Sequence, residues 1–269
     1  MTFAFANPFF LLSQNNQEEA MFPVQDDAPR RGIPLMTYLL IAINIVIFLI
    51  EISLPPEVLE RVVYYFGVVP ARYTNPFFES QELFPGLKYL AFLTCMFLHG
   101  GWIHLIGNMW TLWIFGDNVE DRLGSVRFLI FYLLCGISAS LVHIYMHPSS
   151  TVPTIGASGA ISGVLGAYYA LFPLARIVVM IPIFIFPFFF ELPAVLYLAW
   201  WFFLQVFSGS LSVVHGEIAG GVAWWAHAGG FVAGLLLHRI FCLRKRRLFY
   251  RDELTPWGVL PLVSEKTNR

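Results

Sequence analysis

Charge is what this chain lacks most. Only 12 % of its 269 residues are Asp, Glu, Lys or Arg, whereas 58 % are hydrophobic. An average soluble domain carries about 25 % charged and about 45–50 % apolar residues. The mean hydropathy of +0.68 therefore argues against a soluble globule or a disordered tail. Sixteen basic and seventeen acidic residues leave a net charge of -1, so no global field attracts nucleic acid. Cysteine is also scarce. Cys95, Cys135 and Cys242 sit in separate apolar stretches, which fits neither a disulfide framework nor a thiolate metal site. They read as packing residues. No H-E-x-x-H occurs, so zinc-peptidase chemistry has no support. Asp117 has no second intramembrane aspartate with which to form a dyad. No internal repeat is visible. The apolar patch Phe3–Leu12 lacks a basic lead-in and is not read as a signal peptide.

What the chain does have is long uncharged runs: Gly32–Ile50, Tyr89–Gly116, Phe128–Ala175, Leu192–Gly216 and Ile218–His238. A membrane-spanning helix needs about 20 mostly apolar residues. The third run is too long for one crossing. It is broken by the turn-forming stretch Pro148-Ser149-Ser150-Thr151-Val152-Pro153. Six spans follow, at about 34–53, 103–116, 126–146, 157–173, 193–208 and 224–242. Residues 1–30 and 248–269 are expected as tails around a 31–247 membrane domain. Prolines 182, 187 and 193 disfavour a straight helix over Ile181–Pro193, so a loop or interfacial segment is expected there.

Basic residues cluster before span one (Arg30, Arg31), between spans two and three (Arg122, Arg127), after span four (Arg176) and after span six (Arg244–Arg247). In a six-span chain these places share one face. The positive-inside rule makes that face, with both termini, cytoplasmic.

Polar side chains inside such spans are functional candidates. Ser158, in Gly156-Ala157-Ser158-Gly159, opens span four beside the unpaired N–H groups of a helix start, which suit a developing oxyanion. Serine is equally a common helix cap. His227, in Trp225-Ala226-His227-Ala228-Gly229-Gly230, opens span six and reads alone as an interfacial or pore-lining histidine. Its helix face also carries Gly230 and Gly234, and span four offers Gly159 and Gly163. Small residues at this spacing let two helices approach closely, which would bring hydroxyl and imidazole together. His104 and Asn108 share a face of span two. Both carry N–H donors suited to an oxyanion, or to an ordinary helix-packing bond. His99 reads as a loop-packing residue. His143 and His147 share a face but have no further ligand near them in sequence, so no metal site is expected.

Three pieces taken together resemble the rhomboid family of intramembrane serine proteases: Phe97–Met109, Gly156–Gly159 and Ala226–Gly230, in that order on spans two, four and six. The resemblance covers about residues 21–243. It implies an all-α polytopic fold, a six-transmembrane-helix rhomboid-like bundle of compact bacterial type with a short serine-bearing fourth helix. It also implies Ser158 as nucleophile, His227 as general base, and His104 and Asn108 with the Ser158 N–H as oxyanion hole. No third acidic residue is placed to orient the histidine, so a Ser–His dyad is expected. Some family members stack an aromatic ring on the histidine from four residues after the serine; here that residue is Ser162. Glu120–Gly124 resembles the family's turn after span two and is expected to be structural.

The implied activity is cleavage of single-span membrane proteins near the outer face of a bacterial inner membrane, without cofactor, metal or nucleic acid. The alternative is a non-catalytic rhomboid-like protein that binds membrane clients. A channel or transporter would need charge or repeat symmetry, and neither is visible. Trp200, Trp201 and Phe202 are expected to form a lateral gate, and Ser208–Ala223 a cap.

Overall fold

The structure is a computed structural model. It describes residues 21–30, 32–77, 86–183, 186–215, 222–242, 249–251 and 259–261. Of the expected tails 1–30 and 248–269, residues 1–20, 248, 252–258 and 262–269 lie outside the described residues, while Phe22–Asp26 forms a strand.

Among the described residues the chain is mostly helical. Its helices are α1 (Leu35–Glu51), α2 (Pro56–Phe66), α3 (Ala71–Thr74), α4 (Leu87–Thr94), α5 (Trp102–Leu123), α6 (Ser125–Met146), α7 (Ser158–Leu171), α8 (Ala194–His215) and α9 (Trp224–Phe241). Strands β1 (Phe22–Asp26), β2 (Arg176–Ile183) and β3 (Phe186–Pro193) form one antiparallel sheet in that order. A second hairpin pairs β4 (Phe249–Arg251) with β5 (Val259–Pro261).

Helix α7 is the hub. Residues Ala160–Tyr168 are all buried, as expected for a helix enclosed on every side by neighbours rather than lying on a surface. It packs against α5, α6 and α9. Its small residues make this enclosure possible. A Cβ added at Gly230 or Gly234 of α9 would collide with the carbonyl oxygen of Gly159 or Gly163, and one at Gly166 with that of Phe231. The two backbones are thus in direct contact, as the small-residue pattern predicts.

Ser125–Met146 and Ala194–Val213 are long and apolar enough to cross a membrane by themselves. Lys88–Phe97 and Trp102–Leu123 pass the same test as a pair, bent by 80° at Leu98–Gly101. Helix α1 is apolar but shorter. Helix α7 has 14 residues, roughly 21 Å of rise. That is less than the ~30 Å of a hydrocarbon core, and Ala157, just before its first residue, is fully buried.

Two expectations are revised. The segment expected as a loop or interfacial stretch before span five is a β-hairpin. Ile177 and Val179 are fully buried while Val178 between them and Met180 after them are not, which is the alternation a half-buried strand requires. The prolines fit because β3 is an edge strand and Pro182 lies beyond the part of β2 paired with β1. Second, α8 runs on to His215, so the first half of the expected cap is helix. Ser210 and Ser212 return their hydroxyls to Val206 O and Gly209 O, which satisfies them within the helix. Residues 216–221 of that cap lie outside the described residues.

The turn at Glu120–Gly124 is structural, through its carboxylate. Buried Glu120 accepts the N–H groups of Met36 (2.9 Å) and Thr37 (2.7 Å) and the Thr37 hydroxyl (2.8 Å). It thereby satisfies the otherwise unpaired start of α1. Gly124, at φ +80°, turns the chain directly into α6.

Candidate active site

Ser158 begins α7, and the loop before it is clipped in place. Thr154 exchanges backbone bonds with Val68 (2.8 and 3.0 Å), and the Gly156 N–H donates to Cys95 O at 2.8 Å. Gly156 has φ +124°, a conformation that glycine adopts without strain. The Thr154 hydroxyl meets His143 Nε2 at 2.9 Å, so His143 supports this loop. No group of three possible metal ligands occurs among the described residues.

The glycine contact between α7 and α9 carries His227 to Ser158. Nε2 of His227 lies 2.8 Å from Ser158 Oγ. Ser162, buried, donates to the carbonyl of Ser158 at 2.7 Å rather than to the imidazole. Two aromatic rings lie near His227 instead: Trp224 of α9 meets it edge-on with centroids 6.3 Å apart, and the stacked ring comes from α8. Trp201 lies over the imidazole with centroids 6.1 Å apart and planes 29° apart, an offset stack.

His104 and Asn108 face the same loop from α5. Built at Gly156, a Cβ would fall 2.7 Å from His104 Nε2 and 3.7 Å from Asn108 Nδ2. Both nitrogens therefore border the space two residues ahead of Ser158. The Gly100 N–H points at His104 Nδ1 (3.4 Å), which makes Nδ1 the acceptor and leaves Nε2 as the N–H donor. Asn108 is 8 % exposed, and its Nδ2 has no hydrogen-bond partner among the described residues. An orphaned buried donor costs roughly 1–3 kcal/mol, so it is poised for an acceptor that arrives from outside.

A small cavity of about 20 Å³ opens beside Ser158, with Ser140, Thr154 and Gly156 in its lining. It has room for about one water.

A family model described as "Rhomboid domain" matches residues 87–244, which include all four of these residues. The chain belongs to the rhomboid family.

Among curated relatives it is 37 % identical over 161 residues to "Rhomboid protease GluP" of Bacillus subtilis, covering 59 % of this chain and 28 % of that protein. It is 29 % identical over 165 residues to "RHOMBOID-like protein 1" of Arabidopsis thaliana (61 % of this chain, 38 % of that one). With "Rhomboid protein 1, mitochondrial" of Saccharomyces cerevisiae it shares 37 % identity over 95 residues (34 % and 26 %). The matched stretches thus span well under half of each of these relatives. A rhomboid chain with these apolar helices is an integral membrane protein.

His104 and Asn108 thus border Gly156, and His227 meets Ser158 two residues further on. Gln205 was missed. It is 5 % exposed on α8, and its Oε1 lies 2.7 Å from His227 Nδ1. Its signal was present: a polar side chain in the otherwise apolar run Ala199–Phe207. The rule that exposed Ser158 and His227 applies equally to it.

Proposed function

We propose that this rhomboid is an intramembrane serine endopeptidase. Ser158 is the nucleophile and His227 the general base. The observation that carries this reading is the 2.8 Å contact between Ser158 Oγ and His227 Nε2, the adjacency an activated serine requires. His227 Nε2 takes the hydroxyl proton as Oγ attacks a peptide carbonyl. The resulting oxyanion is met by His104 Nε2–H, Asn108 Nδ2–H and the Ser158 backbone N–H. The proton on His227 then passes to the leaving amine. Water, deprotonated by the same imidazole, hydrolyses the acyl-enzyme.

The remaining architecture of this reading has six spans over residues 31–247, with 1–30 and 248–269 as cytoplasmic tails in a bacterial inner membrane. Positive residues on one side support it. The short α7 then opens toward the outer face, which is where water and substrate arrive. Substrates are single-span membrane proteins. A scissile bond in an intact helix is shielded by its own hydrogen bonds, and unpaired backbone in lipid costs several kcal/mol. Helices that unwind readily near the outer face are therefore preferred.

The test is cleavage of a fluorogenic single-span substrate by the protein in liposomes, compared with Ser158→Ala of equal thermal stability. Cleavage by the parent and none by the variant is expected. Equal cleavage by both would remove Ser158 from the mechanism. No cleavage by either, across several substrates, would favour the client-binding alternative.

A further inference from the structure

Ser158 and His227 are only two members of a longer hydrogen-bonded chain. Nδ1 of His227 lies 2.7 Å from Gln205 Oε1, and Gln205 Nε2 lies 3.4 Å from the carbonyl of Trp201, one helical turn earlier. That second contact fixes the amide's orientation. A carbonyl oxygen only accepts, so the nitrogen of the amide must face Trp201 and the oxygen must face the imidazole. An oxygen at Nδ1 requires a proton on Nδ1. Nε2 is then the bare nitrogen, and it faces the Ser158 hydroxyl. This is the one neutral tautomer that can accept the serine proton.

From this geometry, and resting on the Ser158–His227 reading, we infer that Gln205 is a positioning residue. It holds His227 in the tautomer and orientation that general-base catalysis needs. It fills from α8 the place that acidic residues fill in soluble serine proteases, without burying a charge among apolar helices. Trp201, on the same face of α8 four residues earlier, stacks on the imidazole and limits its rotation out of the Gln205 bond. Two helices thus define the base: α9 carries it, and α8 sets its ring plane and its proton. Ser162 takes no part, because its hydroxyl is committed to the carbonyl of Ser158.

The experiment uses the full chain in liposomes with the single-span substrate, and compares Gln205→Met, Gln205→Leu, Gln205→Glu and Ser158→Ala. Met keeps the length of the side chain and removes the acceptor; Glu keeps an acceptor oxygen. In parallel, the ¹⁵N NMR signals of His227 report its tautomer directly. In the parent, the Nδ1–H form is expected. In the Met and Leu variants kcat should fall by roughly 10–100-fold with KM within about twofold. That is a smaller loss than the ~10⁴-fold seen when a charged orienter is replaced and the tautomer is wrong. The ¹⁵N signals should shift toward a tautomer mixture, and the Glu variant should recover most of kcat.

A parent protein whose His227 carries its proton on Nε2 would overturn the inference, and that measurement needs no variant. So would a folded Met or Leu variant that keeps both kcat and the parent tautomer. If the parent cleaves nothing, or Ser158→Ala cleaves like the parent, the protease reading fails instead. The tautomer measurement still decides the Gln205 contact in that case.

Discussion

Asn108 is one of several buried side chains with a polar atom that has no hydrogen-bond partner among the described residues. Its Nδ2 is buried and unpartnered, although most buried polar groups in native structures find a partner. In the proposed mechanism this donor makes its contact only when an oxyanion forms, so its removal should act on kcat rather than on folding. Asn108→Ala should lower kcat by about 10²–10³, the loss typical of one oxyanion donor, with thermal stability unchanged or higher. Asn108→Asp should be at least as damaging, because a carboxylate offers no donor. A variant losing stability without losing turnover per folded molecule would make Asn108 a packing residue only. At this scale the sequence was readable where a polar side chain stood beside a small-residue pattern, as for Ser158 and His227. Gln205 stands in an aromatic stretch with no such neighbours, and its role emerges only when α8 and α9 are docked.

At the scale of elements, the glycines of α7 and α9 carry the site's geometry. Ser158 and His227 are 69 residues apart in sequence, and their contact depends on two backbones touching. A Cβ at Gly234 would meet the carbonyl, carbonyl carbon and Cα of Gly163, none of them the flexible end of a side chain. Gly234→Ala should therefore separate the helices and cost at least the 1–3 kcal/mol or so of an overpacked core. Both the half-life at elevated temperature and the reactivity of Ser158 toward a fluorophosphonate should fall. Gly107→Ala on α5 is the control, since a Cβ there meets nothing within 4 Å; its half-life should equal or exceed the parent's. Equal half-lives for the two variants would refute the contact.

The positions of the apolar helices α1 and α5–α9 were largely legible because uncharged runs and turn-forming breaks bound them, whereas α2–α4 were not. The extension of α8 was not, because Gly209 and the serines at 208, 210 and 212 read as loop. The Ser210 and Ser212 hydroxyls back-bond within the helix instead, and Ser208 and Ser212 are buried. The β2–β3 hairpin was hidden in the same way. Its strand pairing joins Arg176–Ile183 to Phe186–Pro193 and to a segment some 150 residues earlier, a relation that no local pattern states.

The molecule as a whole is tied at the end opposite Ser158 by its N-terminal segment. Strand β1 pairs with β2. Trp110 Nε1–H donates to Pro23 O at 2.7 Å, and Asn118 Nδ2 donates to Ala28 O at 2.9 Å. Arg30 pairs with Asp117 at 2.9 Å, an exposed contact of modest worth. The Tyr168 hydroxyl at the far end of α7 donates to Asp26, joining this strap to the helix that bears Ser158.

That last contact makes the strap sensitive to pH. Burial pushes the Asp26 carboxyl up to about 6; the Tyr168 hydroxyl opposes this, and the charges of Asp117 and Asp27 add to it. The docked strand therefore keeps its proton in a range where the undocked strand has released it. Docking is strongest below about 4, the ordinary carboxylate range. It weakens as pH rises from there through about 6, and levels off above. Hydrogen exchange of the Phe22–Asp26 amides, expressed as protection factors to remove the intrinsic pH dependence, should show protection falling across that window. In Asp26→Asn the neutral amide cannot ionise, and protection should stay flat from pH 4 to 8. A parent-like decline in Asp26→Asn would separate the pH dependence from the Asp26–Tyr168 contact and overturn this assignment.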